Sequence, residues 1–136
     1  MSPLDERFLR RAIELAVQAR AAGEAPFGSL LAGPGGDILA EEHNTVLSDN
    51  DISAHPELKL ARWAARNLAP DVAAGTTMFT SCQPCGMCTG AIDRSGLGRV
   101  VYALSSAQLG RGFPSVPQEG PFLLDLARAA VDGYYP

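Results

Sequence analysis

The sequence predicts an α/β domain in which helices cover both faces of a mixed sheet. Segments with apolar residues at helical spacing alternate with short apolar segments typical of strands, in the order α-β-β-α-β-α-β-α. The 136 residues are 46% apolar and 19% charged, which suffices for one hydrophobic core but not for two ordinary domains. We therefore expect residues 1–136 to form a single domain.

Each element is predicted from its own pattern. Helical spacing of apolar residues predicts helices over residues 4–22, 55–68, 85–95 and 121–131. Apolar segments bounded by turn residues predict strands over residues 25–33, 38–44, 76–82 and 99–104. Polar or Gly- and Pro-containing segments predict loops over residues 45–54 and 105–120. A fifth strand near the C-terminus has no clear pattern.

Local residues support the ends of the first two helices. Ser2 and Pro3 suit the start of the first helix, and Gly23 suits its end. Pro56 is compatible with the second helix only in its first turn, because proline has no N–H to donate.

Composition disfavours several classes of protein. The net charge is −4 and Lys59 is the only lysine, whereas a nucleic-acid-binding protein usually presents a basic face. Arg7, Arg10 and Arg11 are interleaved with acids, as on a solvated helix face. No apolar run approaches the roughly 18–20 residues that cross a bilayer, and the N-terminus lacks the apolar stretch of a signal peptide. We therefore expect a cytoplasmic location.

The chain has three cysteines, at Cys82, Cys85 and Cys88. An odd number in a reducing compartment argues against a disulfide framework and favours a metal site or catalysis. The C-x2-C-x2-C spacing also begins some iron–sulfur motifs, but a cluster would need a fourth thiolate. A catalytic zinc takes three protein ligands and leaves one position for water. The histidines that could complete such a set are His43 and His55.

His55 opens one predicted helix, and Cys85 and Cys88 open another. Cysteines at positions i and i+3 lie on one helix face and can share one ion. Both helix starts carry partial positive charge, which favours the thiolate form that binds zinc. Glu57 lies two residues after His55, at the start of the same predicted helix. A general base beside a metal-bound water would occupy such a position. Alternatively, the cysteines bind a structural zinc or form a redox pair. The alternative for Glu57 is that its charge merely stabilises the N-terminus of the helix.

Residues 55–57 and 84–88 match the H-x-E and P-C-x-x-C signature of zinc deaminases that act on nucleobases. On these motifs, and on PFGSLL, EEHNTV and SCQPCGMCTGAI between about Pro26 and Leu104, the chain resembles the cytidine/deoxycytidylate deaminase superfamily. Within it, the chain is similar to small guanine deaminases, bacterial tRNA adenosine deaminases and fungal-type cytosine deaminases. The resemblance implies a three-layer α/β/α cytidine deaminase-like fold, a Zn²⁺ cofactor and a homodimer.

The resemblance also implies roles for residues outside the signature. Asn44 matches the family asparagine that hydrogen-bonds the substrate, with a turn asparagine as the alternative. Phe27 is expected to line the pocket or to pack in the core. Cys82 is expected to be a small buried residue, since a fourth protein ligand would displace the reactive water. His43 is expected to be structural.

The implied reaction is hydrolytic deamination. Zinc on His55, Cys85 and Cys88 lowers the pKa of water, and Glu57 moves the released proton to a ring nitrogen before protonating the departing amine. The expected substrate is a free nucleobase, a nucleoside or a related aminated heterocycle, because the chain has few cations to hold a polynucleotide.

Two departures from the family pattern bear on the substrate. The middle residue of the H-x-E triplet is commonly Ala or Gly, whose N–H meets a substrate acceptor. Pro56 has no N–H, which counts against a cytosine-type substrate by about 1–3 kcal/mol. Guanine deaminases usually supply an acid after the fourth strand, where this chain has Ser105, Ser106 and Gln108. A guanine-like purine is the first expectation, followed by cytosine or isocytosine and then tRNA adenosine.

The rival from a different class is a zinc-stabilised interaction module without catalysis. Such a module would have a closed site with four protein ligands, which requires Cys82 or His43 to bind the metal.

Overall fold

A four-stranded mixed sheet forms the centre of the structure, a computed structural model that describes residues 1–111 and 115–136. The strands are Gly28–Ala32 (β1), Ile38–His43 (β2), Thr77–Cys82 (β3) and Arg99–Leu104 (β4). Their order across the sheet is β2-β1-β3-β4. β1 is antiparallel to both β2 and β3, whereas β3 and β4 are parallel. The predicted mixed sheet is confirmed, and the described residues contain no fifth strand.

The helices include the four that were predicted and three short ones. The helices are Pro3–Ala21 (α1), Val46–Asp49 (α2), Pro56–Asn67 (α3), Pro70–Ala74 (α4), Gly86–Ser95 (α5), Ser106–Leu109 (α6) and Leu124–Val131 (α7). The expectation of loops over 45–54 and 105–120 was therefore partly wrong, because α2 and α6 form there. Residues 112–114 of the second segment lie outside the described residues. α6 begins with a capping box between Ser105 and Gln108, a local signal that supports even one turn of helix.

α1 starts and ends as its sequence predicts. The Ser2 side chain accepts the N–H of Asp5 in a capping box, and Gly23 adopts a φ of 83° just beyond the end of the helix. Gly28 lets α1 lie directly on β1, because a Cβ atom there would come within 2.5 Å of the Ala16 nitrogen and the Leu15 Cβ atom.

Alternate residues of β1 point to opposite faces of the sheet, as strand geometry requires. Leu30 packs with Phe8 of α1 and Phe79 of β3 in one cluster. Leu31 packs in a second cluster, with residues of β3, α3 and α5 that include Leu60. The two clusters bury both faces of the sheet and produce three layers, so the predicted fold class is confirmed.

The packing of α3 against α5 positions the site. The two helices contact each other on the same face of the sheet. Cys85 precedes the first residue of α5 and lies three residues after Cys82, the last residue of β3. His55 precedes the first residue of α3 in the same way. The starts of both helices therefore meet at one end of the sheet.

The described C-terminal residues 115–136, here named the C-terminal arm, are all exposed. They include α7, none of whose side chains is buried. No helix in the described ranges is long and apolar enough to span a bilayer.

Candidate active site

His55, Cys85 and Cys88 place one ligand atom each within 4.8 Å of the others. The Nδ1 atom of His55 is 3.7 Å from the sulfur of Cys85 and 3.4 Å from that of Cys88. Zinc–sulfur and zinc–nitrogen bonds of about 2.3 and 2.05 Å at a tetrahedral angle place the two donors about 3.6 Å apart. The observed separations lie on either side of that value, so the three predicted ligands fit a tetrahedral zinc ion.

The electrostatics of these ligands also suit a cation. Burial lowers the pKa of His55, which keeps the imidazole neutral and able to donate a lone pair. Burial, followed by the charge of Glu57, raises the pKa of Cys88 far above its usual range. A thiolate is costly here unless a positive ion compensates it. All three cysteines, Cys82 included, are free of disulfides.

The described residues give no fourth protein ligand to this group. Cys82 is 8% exposed at the end of β3 and is not part of the cluster of three ligand atoms. His43 has its Nδ1 atom 2.9 Å from the carbonyl oxygen of Asn44. These positions match the structural roles expected for both residues, and a zinc ion held by His55, Cys85 and Cys88 would keep a fourth position for water.

Glu57 lies in the first turn of α3 beside the metal ligands. Glu57 is only 6% exposed, and burial raises the pKa of its carboxyl. The hydroxyl of Ser29 lies 3.4 Å from Oε1 of Glu57 and 2.7 Å from the hydroxyl of Thr80. Because Ser29 has one hydroxyl hydrogen, these two contacts compete for it, and the shorter one holds it more firmly. A carboxyl whose pKa is raised towards neutrality suits both the uptake and the delivery of a proton.

A cavity of about 490 Å³ is lined by His55 and Glu57. The predicted residues Asn44 and Phe27 both line it. Asn44 is 4% exposed and donates its backbone N–H to the carbonyl oxygen of Phe27 over 3.0 Å. Phe27 is half-buried immediately before β1, so it lies at the cavity instead of inside the strand. The other lining residues are Glu24, Ala25, Val46, Leu47, Pro56, Cys82, Gln83, Ser106, Leu109 and Arg111.

Glu24, a second carboxylate that lines this cavity, was not predicted from the sequence. Its oxygens accept the backbone N–H groups of Leu47 and Ser48. A bond from the side chain of Ser48, and then these two backbone bonds, lower the pKa of Glu24. A signal was present, because an acid just past the C-terminal end of a helix is electrostatically disfavoured unless something compensates it. Its partners lie 23 and 24 residues further along the chain, so no local pattern identifies them.

The fold and the site together define a zinc-binding α/β domain with a carboxylate beside the metal position. The chain belongs to the cytidine and deoxycytidylate deaminase family, whose zinc-binding region matches residues 2–104. Members of this family are deaminases, hydrolases that act on C–N bonds.

Similar proteins within the family carry different activities. The tRNA-specific adenosine deaminase of Haemophilus influenzae is 35% identical over 109 residues, which are 80% of the chain and 63% of that protein. The probable cytosine deaminase of Schizosaccharomyces pombe is 34% identical over 112 residues, which are 80% of the chain and 65% of that protein. The chain is similar to the X-ray structure of guanine deaminase from Bacillus subtilis, with a TM-score of 0.72 and 27% identity. The match covers 100% of this chain and 96% of the guanine deaminase chain. The chain thus spans somewhat less than two thirds of each of the two sequence relatives.

Proposed function

We propose that the chain is a zinc-dependent hydrolytic deaminase that removes an exocyclic amine from a free nucleobase, a nucleoside or a related aminated heterocycle, with a guanine-like purine as its first substrate. One observation carries the proposal: three ligand atoms within 4.8 Å of one another stand beside a buried carboxyl at the end of a cavity. Family membership supports the same reaction.

His55, Cys85 and Cys88 would hold the zinc ion. When bound, zinc supplies a Lewis acid that makes water a nucleophile near neutral pH. Glu57 serves as base and then as acid, because its buried carboxyl has a raised pKa and lies next to the ligand set. Ammonia leaves, and a carbonyl group remains on the ring.

Asn44 is proposed to bind the substrate, and Phe27 to form an apolar wall of the cavity. The side-chain oxygen of Asn44 accepts the N–H of Val46 over 3.0 Å, which directs the amide so that its nitrogen is the group left to donate. That nitrogen would meet an acceptor on the heterocycle.

The cavity favours a small substrate over a polymer. Its volume of about 490 Å³ lies within the range of small-molecule sites. Pro56 lines the cavity without an N–H to offer, which disfavours a pyrimidine whose carbonyl needs that donor. A purine base that relies on other contacts is therefore the first choice.

The second candidate is deamination of adenosine in tRNA. It is favoured by the 35% identity to the tRNA-specific enzyme of Haemophilus influenzae. The net charge of −4 argues against it, because phosphate contacts need cations.

We also propose a homodimer in which the C-terminal arm packs against a second copy. The chain exposes 8995 Å², about 2,200 Å² more than the roughly 6,800 Å² expected of a monomer of 14.3 kDa. Two chains together have twice this excess exposed surface, an area within the 2,000–5,000 Å² that obligate dimers bury. α7 has only eight residues, too few for a stable isolated helix in water, so a partner surface would stabilise it. The exposed side chains of Tyr102 and Leu104 on the edge strand β4 offer one apolar surface for it.

A cytoplasmic location is proposed on the chemistry of the ligands. Cys85 and Cys88 bind zinc only as reduced thiolates, and the cytoplasm keeps thiols reduced.

An ammonia-release screen tests the proposed reaction. The zinc-loaded protein is incubated with guanine, cytosine, adenine, their nucleosides, isocytosine, aminated triazines and pterins, and a tRNA anticodon stem-loop. Release from a free base, little changed between low and moderate salt, is the expected result. Release confined to the stem-loop and lost steeply as salt rises would identify the tRNA reaction instead. No release from any of them would contradict the deaminase proposal.

A further inference from the structure

The segment that carries Asn44 forms one wall of the cavity through α2. Asn44, Val46 and Leu47 all line it. The first N–H groups of a helix have no partner within the helix and need acceptors from elsewhere. Thr45, the residue that precedes α2, makes no side-chain capping bond. Its hydroxyl instead bonds Asp49 over 2.6 Å.

Two side chains supply the missing acceptors. Oδ1 of Asn44 accepts the N–H of Val46 over 3.0 Å. Oε2 of Glu24 accepts the N–H of Leu47 over 3.1 Å, and Oε1 accepts that of Ser48 over 3.0 Å. Three consecutive N–H groups are therefore held by the amide expected to contact the substrate and by one carboxylate.

The carboxylate of Glu24 is well suited to fix this wall. Glu24 is 9% exposed and lies three residues beyond the end of α1, where its backbone N–H donates to the carbonyl oxygen of Ala19 over 2.9 Å. A bond from the side chain of Ser48, and then the bonds from the two backbone N–H groups, lower its pKa, so it carries a charge at neutral pH. Hydrogen bonds to a charged acceptor are stronger than those between neutral groups, and both oxygens are engaged at once.

The bond that orients the Asn44 amide depends on where the N–H of Val46 lies. That position is set by the turn from Val46 to Ser48, two of whose N–H groups are bound to Glu24. Without Glu24, the turn would lose two anchors, and the Asn44 amide would be free to leave the orientation that exposes its nitrogen to the substrate.

We propose that Glu24 is a positioning residue for substrate binding, which acts through α2 to hold the Asn44 amide in its donating orientation. The inference rests on the proposed deaminase function and names a residue outside the zinc-ligand and H-x-E motifs. Glu24 does not take part in proton transfer.

A double-mutant cycle with guanine as the substrate tests this role. Glu24→Ala should lower kcat/KM about tenfold, mostly through KM, because a misplaced donor loses one substrate hydrogen bond. In an Asn44→Ala background, Glu24→Ala should lower kcat/KM by less than about twofold, because the amide that Glu24 is proposed to orient is already absent. Glu24→Gln, which keeps one oxygen acceptor, should recover part of the loss. Glu14→Ala, which removes an exposed acid of α1, is the control and should have no effect.

Amide hydrogen exchange gives a readout that needs no turnover. In the zinc-loaded Glu24→Ala protein, the N–H groups of residues 46–48 should exchange at least tenfold faster, while those of α3 stay unchanged. Unchanged exchange at 46–48, or equal losses of kcat/KM in both backgrounds, would overturn the inference. If the wild type released no ammonia from guanine, the substrate proposal would fail, and the exchange result would still decide whether Glu24 anchors the wall.

Discussion

The metal end of the sheet and the C-terminal arm differ in how completely the chain itself surrounds them. At the metal end, Cys88 and Glu57 are buried by α3, α5 and β3 of the same chain. In the arm every described residue is exposed, with Leu126 at 71%. The difference indicates that one chain can bring His55, Cys85, Cys88 and the Glu57 carboxyl together by itself. The apolar side chains of the arm, by contrast, can be buried only against a further surface.

Removing a proposed metal ligand should have the largest effect. It tests whether a single chain forms the metal site at the end of the sheet. The wild type should hold about one zinc per chain, and Cys88→Ser should lose both the metal and detectable ammonia release. Cys82→Ser is the matched control, because Cys82 lies outside the ligand cluster. Metal analysis and an ammonia assay measure both. Loss of zinc in Cys82→Ser together with its retention in Cys88→Ser would reverse the ligand assignment.

Removing the substrate contact should have the next largest effect. Asn44→Ala should lower kcat/KM by about 10–200-fold, the cost of one unmade hydrogen bond in a buried site, with the zinc content unchanged. Asn67→Ala changes an exposed asparagine at the end of α3 and serves as the control. Steady-state kinetics on both variants provide the measurement, and equal kinetics would remove Asn44 from the site.

Removing the arm should separate the two regions. Deletion of residues 121–136 should convert a dimer into a monomer in sedimentation equilibrium while the zinc content stays at one per chain. Deletion of residues 133–136 alone, which removes Tyr134 and Tyr135, should change KM by a few-fold if the tail reaches a pocket. A wild type that sediments as a monomer would contradict the proposed dimer, and unchanged KM in the short deletion would exclude the tail from the site.

The smallest expected effect concerns an ion pair far from both regions. Arg99 makes two bonds to Asp5, which lower the pKa of that carboxyl from 3.8 to about 2. Because the folded pKa lies below the ordinary one, the stabilisation is complete above pH 3.8 and is lost as the pH falls through about 2. Asp5→Asn should therefore unfold at slightly lower urea concentration than wild type at pH 5, with the difference shrinking towards pH 2. A difference independent of pH would show that the pair's charge is not involved.

The sequence predicted best the positions of residues that lie in local motifs. His55, Cys85 and Cys88 sit at helix starts, so a short pattern and helix geometry place their ligand atoms together. The order of helices and strands along the chain, and from it the mixed sheet with helices on both faces, followed from helical spacing and short apolar segments.

The contacts that were not predicted join distant parts of the chain. Glu24 accepts N–H groups in the first turn of α2, more than 20 residues further along the chain. Ser29 reaches Glu57 only because β1 and α3 pack together. Such pairings depend on tertiary packing, which local periodicity does not encode.

Ammonia release by Glu57→Gln tests the central claim most directly. The substitution keeps the size of the side chain and leaves the metal ligands intact, so we expect about one zinc per chain. Because a glutamine cannot accept and deliver the proton, turnover of the best substrate should fall by about 10²–10⁴-fold. Loss of turnover with zinc retained is the predicted result. Turnover near that of the wild type would contradict the account, since the buried carboxyl beside the metal would then have no part in the reaction.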